Sequence, residues 1–224
     1  MTRKEALMKD FKLIIFDLDG VVFDSEPLHE NAKRRLLTEG GIAEHIDLAW
    51  SVGLPNKLLW NNMISKYGLV KSEDELEYLQ YNYILEEVIA KDIKPSDGLV
   101  EVLQSLQKKG LKVGLASSSD RHYVDSILKY YQIDHYFSYI IAGDEVAKKK
   151  PEPDIYLKIL DLSGLGRHEA IAIEDSKAGS ESAVAAGLKC IGYLNPTSGC
   201  QDLSKCFINI NHISQLTKVI SELS

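Results

Sequence analysis

The chain holds three cysteines in 224 residues, and Cys190, Cys200 and Cys206 are odd in number and form no C-x-x-C pair. That excludes a disulfide framework and a cysteine zinc site, and it fits a reducing cytoplasm. No apolar run is long enough to span a bilayer. Residues 1–10, charged at both ends and without an apolar stretch, are expected to carry no signal peptide. An excess of positive charge is missing too. Lysines and arginines number 26 against 33 acids, a formal net charge of −7, which excludes a nonspecific grip on nucleic acid. A substrate phosphate would have to be held locally and not by the overall field. The chain has no internal repeat, no low-complexity segment and no glycine-lysine phosphate loop, and Gly164-Leu165-Gly166 follows no strand and lacks a third glycine.

What is present is a short apolar run, Leu13-Ile14-Ile15-Phe16, that reads as a buried strand and ends in Asp17-Leu18-Asp19-Gly20-Val21-Val22. Open α/β sheets carry their chemistry just beyond the carboxyl ends of their strands. A strand that ends in two carboxylates therefore points to a nucleophile that is itself phosphorylated. An acidic turn without a role is the competing reading. A calcium loop does not fit, because the glycine sits at the fourth position instead of the sixth and Leu28, not Glu, falls at the twelfth.

A chain of this length can bury a full core, as one large domain or as one domain with a sizeable insertion. After about residue 98, strand-like runs at 112–116, 139–142, 170–173, 189–193 and 207–210 alternate with helical runs at 99–109, 123–131, 153–161 and 178–186. That is the pattern of a parallel sheet of five or six strands built by right-handed crossovers. Gly187 stops the last of these helices. Residues 25–92 differ. They keep helical periodicity throughout, with Leu36, Leu37, Trp50, Leu58, Leu59, Trp60, Leu76, Leu79, Tyr83 and Leu85 at the apolar positions and no strand. The predicted architecture is α/β, a Rossmann-like parallel sheet core formed by residues 1–24 and 93–224, with an all-helical cap inserted at 25–92 and a turn-rich return linker at 92–98.

Further polar groups converge on the strand ends. Ser117-Ser118-Ser119 follows the run 112–116 and offers hydroxyls and free backbone N–H groups to a phosphate oxygen, or caps the next helix. Glu174-Asp175-Ser176 follows 170–173 with a second pair of carboxylates. Four carboxylates in one crevice repel severely in a low dielectric. A hard divalent cation resolves this, and magnesium fits, with Asp17 and Asp175 as direct ligands. In Lys148-Lys149-Lys150-Pro151, Lys150 is held by the following proline and is best placed to set an ammonium beside the nucleophile, while its two neighbours read as a solvated face.

Taken in order, Asp17-Leu18-Asp19-Gly20-Val21, Ser117, Lys150-Pro151 and Glu174-Asp175 resemble the four signature segments of the haloacid dehalogenase superfamily, in the branch of β-phosphoglucomutase and small sugar-phosphate phosphatases. The resemblance spans nearly the whole chain. It implies that Asp17 is the nucleophile, Asp19 the general acid and base, and Ser117 and Lys150 the phosphate holders, joined by Ser118 of the hydroxyl cluster. It implies magnesium bound by Asp17, the Asp19 backbone carbonyl, Asp175 and Glu174. The expected activity is hydrolysis of a small phosphorylated metabolite, a sugar phosphate, through an aspartyl phosphate.

Two alternatives stand beside it. One is an isomerase of the β-phosphoglucomutase kind. The other is a phospho-acceptor module like a response-regulator receiver, against which Asp19 and the helical insertion argue. Asp24-Ser25-Glu26-Pro27-Leu28-His29 resembles the segment where these relatives leave the core, and His29 is a candidate to meet the leaving-group oxygen, with a solvent-facing histidine as the alternative. Val52-Gly53-Leu54-Pro55-Asn56-Lys57 resembles the substrate loop in which the mutases grip a distal phosphate with an arginine. Asn56 takes that place here with Lys57 beside it, a departure that favours a monophosphate hydrolase. Arg121 reads as a surface residue at a helix start, with substrate contact as the alternative. The expected partner is a small phosphate ester, with no nucleic acid and no membrane, and the expected state is a cytoplasmic monomer.

Overall fold

Leu13–Phe16 forms β1 in a computed structural model that describes residues 11–42, 46–48, 50 and 56–223. All four side chains are fully buried. Leu13 and Ile15 join a cluster with Ile155, Tyr156 and Ile159 of α6 (Asp154–Ser163) and Ala183 of α7 (Lys177–Ala185). Ile14 and Phe16, on the opposite face, are buried as completely, so the strand is covered on both sides. Each such side chain contributes roughly 1.5–3 kcal/mol on burial, and a run with no polar alternation is therefore a central strand of a parallel sheet.

Among the described residues the sheet has six strands, in the order β3-β2-β1-β4-β5-β6. They are β2 (Lys112–Ala116), β3 (Tyr139–Ile141), β4 (Ala170–Glu174), β5 (Lys189–Tyr193) and β6 (Ile208–Ile210), and every neighbouring pair is parallel. The chain winds from β1 through β2 to β3 on one side and from β4 to β6 on the other. The winding reverses between β1 and β4, which opens a crevice beyond their carboxyl ends. This is the expected Rossmann-like core. The helices α4 (Leu99–Lys108), α5 (Arg121–Tyr130), α6 and α7 lie within two residues of the predicted runs. α8 (Leu216–Leu223) was not anticipated, although Leu216, Val219, Ile220 and Leu223 are buried at the spacing of one helix face.

By its contacts the chain divides into two compact units, residues 1–24 with 94–224, and residues 25–93. Among its described residues the second unit is helical, with α1 (Glu26–Glu39), α2 (Asn56–Tyr67) and α3 (Glu73–Ala90). Its core is built from Leu36, Leu37, Leu48, Leu59, Trp60, Met63 and Leu76. The Ser72 side chain accepts from the Glu75 N–H and the Glu75 carboxylate accepts from the Ser72 N–H, a reciprocal cap that starts α3. Two residues expected at apolar positions face outward, Trp50 and Leu58. Leu59, Trp60 and Met63 turn one side of α2 inward, which leaves Leu58 on the other. Among the described residues no helix is long and apolar enough to cross a membrane.

Candidate active site

The acids sit where the winding reverses. Asp17 follows β1, and its N–H donates to the Ile173 carbonyl at 3.0 Å, which extends the β1–β4 ladder by one step. Glu174 closes β4, and Asp175 comes next. Asp17, Glu174 and Asp175 are all buried. The turn after Asp19 passes so near Asp175 that a Cβ on Gly20 would lie 2.0 Å from Asp175 Oδ2, and Gly20 also has a φ of 82°, so glycine is required on both counts. The Asn195 amide donates to the Gly20 carbonyl at 3.0 Å, and the Ser198 hydroxyl donates to Asp175 Oδ2.

Lys150 reaches this cluster from the segment before α6. Its ammonium donates to Asp17 Oδ1 at 2.5 Å, Glu174 Oε1 at 2.6 Å and the Ala116 carbonyl at 2.8 Å. Three acceptors use all three of its protons. Lys148 is exposed, Lys149 half-buried and Lys150 buried. Burial pushes the Asp17 carboxyl well above the usual carboxylate range. Lys150 pulls it back, while the charges of Glu174, Asp175 and Asp19 act with burial. For Lys150, burial works against the charge, but Asp17 and Glu174 outweigh it and raise the ammonium above the ordinary lysine value. The Tyr156 hydroxyl also donates to Glu174 Oε1, and burial first, then Glu174 and Asp17, keep that phenol protonated.

The serine cluster follows β2. Ser117 is fully buried and Ser118 half-buried. The backbone N–H groups here are less free than the sequence implied. Ser117 N–H donates to the Ile141 carbonyl at 3.1 Å, and Ser119 N–H donates to Ser117 Oγ at 3.0 Å. The β2–β3 ladder claims the first and a local turn the second. Ser117 still has its own hydroxyl proton to give. Ser119 Oγ donates to Asp19 Oδ2 at 2.7 Å and the Tyr123 hydroxyl donates to Asp19 Oδ1 at 3.1 Å. Arg121 is engaged by the Asp125 and Glu145 carboxylates and the Ile140 carbonyl, as a structural residue at the start of α5.

His29, Asn56 and Lys57 belong to the second unit. The Gln80 side-chain oxygen accepts from Trp60 Nε1 at 2.8 Å, and an indole N–H can only donate. The Gln80 amide nitrogen therefore faces His29 Nδ1, at 2.8 Å, as donor. This network assigns the ring proton of neutral His29 to Nε2. Asn56, the first residue of α2, donates to the Tyr81 hydroxyl at 2.9 Å, and exposed Lys57 pairs with Asp74 at 3.1 Å. Residues 52–55 of the predicted substrate loop lie outside the described residues.

The acidic cluster suits a hard cation. One carboxylate oxygen each from Asp17, Glu174 and Asp175 lies within 4.8 Å of the others. Glu174 Oε2 is buried without a hydrogen-bond partner, an oxygen that is costly to leave uncompensated. An all-oxygen donor set of this kind fits the coordination chemistry of magnesium.

Sequence reasoning did not find Tyr123, Tyr156, Asn195 or Ser198. The last two follow β5, so the strand-end rule that located the other segments would have reached them. The tyrosines carried no signal, since each sits at an inward helix position that any large apolar residue could fill.

A family model described as haloacid dehalogenase-like hydrolase matches residues 14–193. A phosphorylated carbohydrates phosphatase from Thermotoga maritima is 30% identical over 181 residues, covering 80% of this chain and 82% of that protein. A β-phosphoglucomutase from Bacillus subtilis is 28% identical over 196 residues, covering 81% and 82%. The crystal structure of CbbY from Rhodobacter sphaeroides in complex with phosphate superposes with a TM-score of 0.83 over 92% of this chain and 96% of that one. At 21% identity the last likeness speaks for the fold alone.

Proposed function

The chain belongs to the haloacid dehalogenase-like hydrolases, and from that membership we propose that it is a magnesium-dependent phosphatase that releases phosphate from a small sugar phosphate through an aspartyl phosphate on Asp17. The observation that carries this reading is the Asp17 carboxylate, buried at a strand end with an ammonium at 2.5 Å and two further carboxylates within ligand reach.

In the first step Asp17 attacks phosphorus, the ester P–O bond breaks, and Asp19 gives its proton to the departing alkoxide. In the second, Asp19, now a carboxylate, takes a proton from water as the water oxygen bonds to phosphorus and the Asp17–phosphorus bond breaks. Lys150 holds the nucleophile in line and sets positive charge next to the phosphoryl oxygens. The Ser117 hydroxyl proton serves one of those oxygens, with Ser118 beside it. Asp17, Glu174, Asp175 and the Asp19 carbonyl would hold the magnesium ion, which supplies charge neutralisation on the phosphoryl group.

The names of the Thermotoga and Bacillus relatives support a phosphorylated carbohydrate as substrate. Hydrolysis is favoured over isomerisation by neutral Asn56, which donates to Tyr81, and by Arg121, whose guanidinium is already engaged. We read the protein as a monomer in a reducing compartment, in keeping with its three free thiols. The test is inorganic phosphate release from a panel of sugar phosphates, polyol phosphates and nucleotides, with magnesium and with EDTA. Asp17→Asn is expected to abolish turnover and phosphoenzyme formation while leaving the fold intact, and retained turnover would refute the assignment. Accumulation of an isomerised sugar phosphate without free phosphate would favour the mutase.

A further inference from the structure

Both side-chain oxygens of Asp19 are held by hydroxyl donors from two different elements. Ser119 Oγ reaches Oδ2 at 2.7 Å from the segment after β2, and the Tyr123 hydroxyl reaches Oδ1 at 3.1 Å from the first turn of α5. Ser119 is 5% exposed and Tyr123 1%. Each donor is itself fixed. Ser119 N–H donates to Ser117 Oγ, and Tyr123 N–H donates to the Asp120 side chain at 3.1 Å, which caps α5. A phenylalanine at 123 would fill the same space with no hydroxyl to satisfy.

We infer that Ser119 and Tyr123 are positioning residues that aim the Asp19 carboxyl at the leaving-group oxygen. The inference rests on the reading of Asp19 as acid and base. An aspartate turns about two side-chain torsions, and proton transfer needs its oxygen within hydrogen-bond reach of the departing atom. Two donors from separate elements restrain both torsions. A carboxyl so held meets each leaving group without first being ordered.

The experiment compares two esters. Phenyl phosphate expels a poor leaving group that needs the proton, whereas para-nitrophenyl phosphate expels a good one that hardly does. With kcat/KM as readout, which reports steps up to phosphoenzyme formation, Asp19→Ala is the reference. It should lose about a hundredfold or more on phenyl phosphate and far less on the nitrophenyl ester, in line with the usual worth of general acid catalysis. Ser119→Ala and Tyr123→Phe should each lose roughly tenfold on phenyl phosphate, a part of that contribution, and about twofold or less on the nitrophenyl ester. The nitrophenyl rate also reports that each variant is folded. Equal losses on both esters, or no loss on either, in the Ser119 and Tyr123 variants overturn the positioning role and leave Asp19's role standing. An Asp19→Ala variant that loses equally on both esters overturns Asp19's role as acid, and this inference with it.

Discussion

Lys150→Met removes the one buried cation among the described residues of the site and keeps an apolar stem of similar length. The ammonium has three acceptors at 2.5 to 2.8 Å, and the two carboxylates among them, Asp17 and Glu174, have side chains 10% and 0% exposed. Breaking a buried pair by removing one partner leaves an uncompensated charge and costs about 3–5 kcal/mol. Total stabilities are about 5–15 kcal/mol, so the loss is large on that scale. The assay is the urea midpoint in EDTA at neutral pH, which should fall with an unchanged slope. As pH is lowered the orphaned Asp17 carboxyl, already raised by burial, takes up its proton, a neutral acid needs no counter-charge, and the gap to the wild type should narrow. A midpoint equivalent to within about 1 kcal/mol of wild type would refute the reasoning, because surface pairs have that worth and buried ones do not.

Gly179 stands at the third residue of α7, where alanine would ordinarily add about 1 kcal/mol of helix propensity. A Cβ there would lie 1.9 Å from Glu174 Oε2, and that carboxylate is pinned by Lys150 and Tyr156, so Gly179→Ala should instead lower the melting temperature by an overpacking cost of about 1–3 kcal/mol. A stabilised variant would show that Glu174 yields. The raised Asp17 carboxyl makes a pH prediction for metal-free protein. The folded state keeps a proton that the unfolded chain has already released, so this group's contribution to stability falls as pH rises from its ordinary value toward the raised native one. Melting temperatures of wild type and Asp17→Asn across that window should therefore converge as pH is lowered if the contribution is real, and a constant difference would exclude it.

The parts of this fold that were legible are those in which residue type and position agree. Leu13–Phe16 and Ala170–Glu174 are nearly unbroken apolar runs, as strands covered on both faces must be, and each ends in acids that have no business in a core. Asp17 and Glu174 declare their chemistry by being charged at strand ends, and Lys150 by being the lysine of its run that the next proline holds. α8 was equally legible but was not read. What the sequence could not convey is who meets whom. The N–H groups of the serine cluster looked free because the partner of Ser117 N–H is fixed by the register of β2 on β3, a fact about residue 141.

Tyr123 and Tyr156 are the sharper case. Each lies on the buried face of its helix, where packing alone explains a large ring, and each becomes part of the site only because its hydroxyl ends against a carboxylate, 104 residues away for Tyr123 and 18 for Tyr156. A buried phenol must find a partner, so a tyrosine at a core position is a question that the sequence poses and only the fold answers. Residues that perform chemistry are thus recognisable one at a time, whereas residues that aim them are recognisable only in pairs. Tyr123→Phe separates the two kinds by experiment, since it keeps the packing and removes only the partner.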